Sequence, residues 1–140
     1  MPSGIKVGKM SMPLGVIAMI YESRPNVTID ASALCIKSGN SIILRGGSES
    51  INTNIVLSEC IKNALVKNNV SENIVQLIDK TDRDIVNELL VQNKYIDIVI
   101  PRGGKNLIKL VDELASIPVL KHLDGICHVF VDQHADISKA

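Results

Sequence analysis

Two short strings carry the clearest chemical suggestion in the chain. Residues 43–49 read ILRGGSE and residues 100–106 read IPRGGKN, so Arg45-Gly46-Gly47 recurs as Arg102-Gly103-Gly104. Each copy follows an apolar run and precedes a segment with helical spacing. A glycine pair after a strand lets the backbone turn tightly and lets a ligand come close. The helix that follows offers unpaired N–H groups and the positive end of its dipole, and an arginine at the strand end adds a fork of donors for phosphate. A dinucleotide or another phosphorylated molecule is held in this way. Neither copy matches G-x-G-x-x-G or G-x-x-x-x-G-K-[ST]. Spacing alone therefore leaves a second reading open, two tight turns whose glycines only serve geometry.

The other reactive side chains point to less. Cys35, Cys60 and Cys127 are an odd count without a C-x-x-C pair, which argues against a disulfide framework or a metal knuckle. All three read as buried thiols packed as small hydrophobes. His122, His128 and His134 have no ligand-like clustering, and no metal site is expected.

The glycine turns need strands before them and helices after them, and the sequence supplies both. Residues 13–21, PLGVIAMIY, form a continuous apolar run, as in a strand buried on both faces. Residues 26–38 place Val27, Ala31, Leu34 and Cys35 at helical spacing, and Gly39-Asn40 ends that helix. Strand signals follow at 41–44, 74–78 and 95–100, and weaker ones at 119–120 and 127–131. Helical patterns cover 48–66, the stretch from about 81–84 to 91, and 104–114, and another begins at 135. In the 48–66 helix the apolar set is Ile51, Ile55, Leu57, Cys60, Ile61 and Leu65. Strand and helix alternate with short connections, which predicts an α/β fold: a Rossmann-like, mostly parallel sheet with flanking helices. Such sheets bind ligands at the carboxyl ends of their strands, where both Arg-Gly-Gly copies fall.

Composition limits the alternatives. The 140 residues suit one domain with a real core, and 46% are apolar. Fifteen basic and fifteen acidic residues give a formal net charge of zero, so no strong field points to nucleic acid or an anionic membrane. Arg-Gly-Gly tails that bind RNA are disordered and lean on stacking and charge. Here the aromatics are Tyr21, Tyr95 and Phe130, and both copies lie between ordered apolar segments. No apolar run approaches the about 18 residues that cross a bilayer. The opening MPSGIKVGKMSM lacks the apolar stretch of a signal peptide. A cytoplasmic protein without nucleic-acid or membrane partners is expected.

Three stretches then carry a family resemblance. PLGVIAMIYESRPNVTIDASALCIKSGNSIILRGGSES (13–50), IDIVIPRGGKNLI (96–108) and DGICHVFVD (124–132) resemble, in order, the γ-glutamyl phosphate reductase family of the aldehyde dehydrogenase superfamily. The resemblance covers essentially the whole chain. It implies an oxidoreductase, a glutamate-5-semialdehyde dehydrogenase, that uses NADPH to reduce L-glutamyl 5-phosphate to L-glutamate 5-semialdehyde in proline biosynthesis. The family attacks its acyl phosphate with a cysteine thiolate. That cysteine lies C-terminal to the GICHVFVD stretch, beyond Ala140, and none of the three cysteines here corresponds to it. Residues 1–140 are thus expected to be a partial NADP-binding domain without the catalytic domain, inactive alone.

The resemblance also assigns roles. Arg45, Gly46, Gly47, Ser48 and Glu49 fall where the superfamily contacts the cofactor's adenosine ribose, and arginine in place of the more usual lysine suits the 2′-phosphate of NADPH. The plainer reading is a solvated strand-end charge and a first-turn helix charge. Arg102, Gly103, Gly104 and Lys105 fall at the pyrophosphate. Ser23, Arg24 and Asn26 are the candidates for binding substrate and polarising the thioester oxygen. KHLDGIC (121–127) stands where many aldehyde dehydrogenases keep a glutamate base, and Asp124-Gly125 there also reads as a turn. A homo-oligomer and functional coupling to glutamate 5-kinase are further implied. The alternatives are the reductase half of a bifunctional pyrroline-5-carboxylate synthase, a non-catalytic nucleotide-binding or interaction module derived from the family, and a structural α/β domain that binds nothing.

Overall fold

Residues 16–21 read VIAMIY, and five of these six side chains are apolar without a polar alternate, which suits a strand covered on both sides. In the computed structural model, which describes residues 4–82, 84–122, 128, 130–136 and 138, they form the central strand β1, Val16–Tyr21. The chain then alternates as expected: α1 (Asn26–Lys37), β2 (Ser41–Arg45), α2 (Ile51–Lys67), β3 (Val75–Leu77), α3 (Asp84–Leu90), β4 (Ile98–Arg102) and α4 (Lys105–Leu114). Among the described residues the strands form one sheet in the order β3-β2-β1-β4, and every pairing is parallel. Ile17 stands opposite Ile42 on one side and Ile98 on the other. The chain steps outward from β1 to β3 and then returns to lay β4 on the far side of β1. The order reverses between β1 and β4, so a crevice opens there at the carboxyl ends of the strands.

Strand periodicity sends alternate residues to two cores. Ile17 and Tyr21 of β1, with Ile42 and Leu44 of β2 and Val75 of β3, pack against Val27, Ala31 and Cys35 of α1 and Leu65 of α2. Ala18 and Ile20 face the other way, with Val99 of β4, against Val86, Leu89 and Leu90 of α3 and Val111 of α4. Helices cover both faces, as a parallel sheet requires.

One buried face is polar. Thr28, Ser32, Asn54 and Ser58 are all buried where α1 meets α2. The Tyr21 hydroxyl and Thr28 Oγ1 lie 2.6 Å apart, and Thr28 Oγ1 donates to Asn54 Oδ1 at 3.1 Å. Thr28 spends its one proton on Asn54, so Tyr21 donates to Thr28. Asn54 Nδ2 in turn donates to Ser50 Oγ at 3.3 Å. This chain ties the end of β1 to the start of α2. Burial pushes the Tyr21 phenol up; the Thr28 hydroxyl, which can turn its proton toward a phenolate, offsets part of this. A folded-state pKa above the unfolded value of about 10 stabilises the fold below that pH and is lost above it. Tyr21→Phe is expected to lower stability by about 1 kcal/mol at neutral pH. It should also flatten the decline above pH 10, as parallel urea unfolding of both proteins would read. A variant that keeps the wild-type alkaline decline would rule out Tyr21 as its source.

Several sequence expectations are shifted by hydrogen bonding. The first strand starts at Val16, not Pro13, because side chains capture the amides that lead into it and the first of its own. Asn40 Oδ1 accepts from the amides of Leu14 (2.6 Å) and Gly15 (2.9 Å), and Asp97 Oδ2 accepts from that of Val16 (2.8 Å). Gly15 has φ +114°, and a Cβ there would run into the Asp97 carboxylate, so only glycine suits this crossing. The strand expected at 95–100 is Ile98–Arg102 instead. The amides of Tyr95 and Ile96 both donate to the Gln92 carbonyl in a turn after α3, and Tyr95 is 72% exposed. Pro101 is admitted because Val99 exchanges bonds outward with Pro118 and Leu120. Two residues on, the missing Pro101 donor faces the same outer side. Val119 makes a single parallel bridge to Val99.

The helix expected from Ser48 opens as a 3₁₀ turn over Ser48–Ser50 before α2 begins at Ile51. The cysteine expectation needs one correction: Cys35 is buried, but Cys60 is exposed. The inward side of α2 runs through Asn54, Ser58 and Leu65, which turns Cys60 outward. Cys127 and Val129 of the strand expected at 127–131, the Asp124-Gly125 turn, and Ile137, Lys139 and Ala140 of the last helix lie outside the described residues. Among the described residues no helix is long and apolar enough to cross a membrane, and no group of His, Cys, Asp and Glu could hold a metal ion.

Candidate functional site

Each glycine turn closes a strand that ends at the same edge of the sheet. Tyr21 stands beside Arg102, and Ile20 beside Arg45, in the ladders. The loops after β1, β2 and β4 therefore gather at one rim. A cavity of about 440 Å³ opens at the β1/β4 reversal, lined by Glu22, Ser23, Arg24, Arg102, Gly103 and Gly104. A second cavity of about 710 Å³ runs alongside, and Arg45, Gly47, Ser48, Glu49, Thr81 and Asn106 are among its walls. Glu22 and Ser23 line both.

The expected site residues thus fall into two neighbouring groups. Ser23 and Arg24 meet Arg102, Gly103 and Gly104 in the first cavity. Arg45, Gly47, Ser48 and Glu49 meet in the second. Asn26, Gly46 and Lys105 line neither. Asn26 opens α1, where its side-chain amide donates to Asp30 Oδ2 at 2.9 Å. Lys105 is the first residue of α4.

Arg45 is held firmly. Its Nη1 donates to the Gly46 carbonyl at 2.7 Å, and its Nη2 donates to the carbonyls of Thr81 (3.1 Å) and Asp82 (3.4 Å). The guanidinium thus straps the end of β2 to the loop after β3. Its Nε is buried and has no acceptor among the described residues. The Glu49 carboxylate folds back over the turn: a Cβ on Gly47 would lie 3.1 Å from Glu49 Oε2.

The glycines differ from one another. A Cβ on Gly46 would strike the Asn54 amide and come within 3.0 Å of the Tyr21 ring, so Gly46 is a packing glycine over the buried polar chain. A Cβ on Gly103 would come within 2.6 Å of Glu22 Cδ and 2.8 Å of Leu107 Cδ2. Gly104 caps α4 in extended conformation, and a Cβ there would meet only the Glu22 carboxylate, at 3.8 and 3.9 Å.

Glu22 escapes a reading of the sequence by motif. Its amide donates to the Arg102 carbonyl at 3.2 Å, and its Oε2 accepts from the Gly104 amide at 3.0 Å. The sequence signal is an acidic residue immediately after the first strand; the structure sets it beside Arg24, Arg45 and Arg102 in the cavity walls. Thr28 and Asn54 were also passed over, because isolated polar residues on amphipathic helices ordinarily face water.

A parallel sheet in this order, covered on both faces, with its glycine turns at one rim, is Rossmann-like. The aldehyde dehydrogenase family model matches residues 4–140, and the chain belongs to the aldehyde dehydrogenase family. Within it, the chain is similar to γ-glutamyl phosphate reductase from Desulfatibacillum aliphaticivorans, with 60% identity over 135 residues that make up 96% of this chain and 32% of that protein. It is also similar to the crystal structure of γ-glutamyl phosphate reductase from Thermotoga maritima, at 46% identity and a TM-score of 0.80, over 91% of this chain and 31% of that one. A glyceraldehyde-3-phosphate dehydrogenase from Methanocaldococcus jannaschii complexed with NADP shares the fold, at 24% identity and a TM-score of 0.66 over 81% of this chain and 25% of that one. The chain spans about a third of the length of the relatives it matches. The family resemblance and the Rossmann-like architecture read from the sequence are both borne out.

Proposed function

We propose that this chain holds NADPH in a γ-glutamyl phosphate reductase, which converts L-glutamyl 5-phosphate to L-glutamate 5-semialdehyde. The observation that carries the reading is the 60% identity to a reductase of that name over nearly all of this chain. The rim geometry supports it. Arg45 and Glu49 line the larger cavity at the end of β2, suited to an adenosine ribose and its 2′-phosphate. The guanidinium charge of Arg45 at that wall suits an anionic group. Arg102, Gly103 and Gly104 lead from β4 into α4, whose dipole favours a pyrophosphate, with Lys105 adding charge. A fold neighbour complexed with NADP makes the same cofactor class reasonable.

The cofactor supplies the hydride. The chain's own residues bind, orient and polarise. Ser23 and Arg24 stand in the smaller cavity beside Arg102, where the substrate's phosphate and a developing oxyanion find donors. Asn26 is the first residue of α1 and is the weakest of the three substrate candidates, since its amide is engaged with Asp30. Neither described cysteine suits the nucleophile. Cys35 is buried in the core behind the sheet, where burial pushes its thiol up, and Cys60 lies on the outer side of α2. The thiolate is assigned to the part of the longer relatives that this chain does not span.

The test is a fluorescence titration of the complete protein with NADPH and with NADH. NADPH is expected to bind at least about tenfold more tightly, since a 2′-phosphate beside an arginine gains a charge-assisted bond. Equal affinities would remove the 2′-phosphate role, and no binding of either would leave the structural α/β reading.

A further inference from the structure

The start of α4 is already occupied by an anion from the chain itself. Glu22 Oε2 accepts from the Gly104 amide at 3.0 Å. The stem of the same side chain lies flat on Gly103, where a Cβ would come within 2.6 Å of Glu22 Cδ and 2.8 Å of Cγ. The surface that a pyrophosphate would use is therefore covered by a carboxylate seeking the same N–H and the same dipole. The two anions cannot share it, and they repel each other.

We infer that Glu22 is an internal competitor for this phosphate seat, and that the nucleotide enters by displacing it; the inference rests on the cofactor reading above. The mechanics allow it. The Glu22 backbone is pinned to β4 through the Arg102 carbonyl, while its side chain is exposed and tied to Gly104 by one hydrogen bond at the surface. Swung out, it stands between the two cavities, both of which it lines. Its return after turnover favours release of the spent cofactor. Glycine at 103 is what allows the competitor to lie down at all.

The test compares Glu22→Gln and Glu22→Ala with wild type in the complete protein, by NADPH titration and by inhibition with inorganic pyrophosphate. Both variants are expected to lower the Kd for NADPH about three- to tenfold, and the pyrophosphate inhibition constant with it. If Glu22 instead held the turn in the shape that the nucleotide needs, Glu22→Ala would bind NADPH more weakly and Glu22→Gln, which keeps an acceptor for the Gly104 amide, would bind it as wild type does; that pattern overturns the inference. Unchanged constants in both variants overturn it too, while leaving the cofactor reading intact. Absence of NADPH binding by the wild type removes the cofactor reading, and the inference falls with it.

Discussion

Gly46→Val is expected to lower the melting temperature by about 3 to 10 °C, while Gly104→Ser shifts it by less than about 2 °C. The two positions hold the same letter in the same Arg-Gly-Gly string, yet their surroundings are opposite. A Cβ on Gly46 strikes the Asn54 side chain and reaches the Tyr21 ring at 3.0 Å. Neither neighbour can retreat easily. Tyr21 is 1% exposed and Asn54 is fully buried, and both belong to the hydrogen-bonded chain through Thr28. Overpacking of this kind costs about 1–3 kcal/mol, and each kcal/mol is worth about 3 °C in a protein of this size. At Gly104 a new side chain meets only the exposed Glu22 carboxylate at 3.8 Å or more. Serine is also a good helix cap, so the change is a few tenths of a kcal/mol. Differential scanning calorimetry of both variants decides it. Equal losses at the two sites would mean that the turns are alike, as the sequence alone suggests.

That contrast marks how much could be read in advance. The alternation of strands and helices was legible because a continuous run such as VIAMIY and a spaced set such as Val27, Ala31 and Cys35 reflect burial directly. The rim was legible for the same reason: a glycine pair after a strand falls at the carboxyl edge of any parallel sheet. What resisted was pairwise. The division of labour between Gly46 and Gly103 depends on which side chain lies over each, Asn54 in one case and Glu22 in the other. Those partners are 8 and 81 positions away. The true start of β1 depends on Asn40 and Asp97 reaching back to its amides. The Cys60 error has a related cause. Counting apolar residues on α2 chose a face, but the buried face holds Asn54 and Ser58, and the Thr28 hydroxyl that partners Asn54 is announced by no local pattern.

On the proposed cofactor role, Arg45→Glu in the complete protein is expected to raise the KM for NADPH about tenfold or more, and that for NADH by less than about threefold. Three of its N–H bonds are spent on the carbonyls of Gly46, Thr81 and Asp82, so part of its role is to strap the loop after β3. Its full charge remains, and a guanidinium has five donors. Its Nε is buried away from the cavity, without an acceptor among the described residues, so it is the charge and the two Nη groups that face a ligand. A 2′-phosphate in the cavity that Arg45 lines would meet that charge, whereas glutamate would present repulsion at the same place. One tenfold step corresponds to about 1.4 kcal/mol, modest for a lost charge-assisted contact. The strap and the charge can be separated with Arg45→Lys, which keeps the charge but loses the fork. If charge governs cofactor choice, lysine retains most of the NADPH preference and glutamate abolishes it. If the strap governs, lysine and glutamate raise both KM values together and lower the melting temperature in step. An unchanged KM for NADPH in Arg45→Glu would take Arg45 out of the cofactor site and leave it as the pin between β2 and the loop after β3.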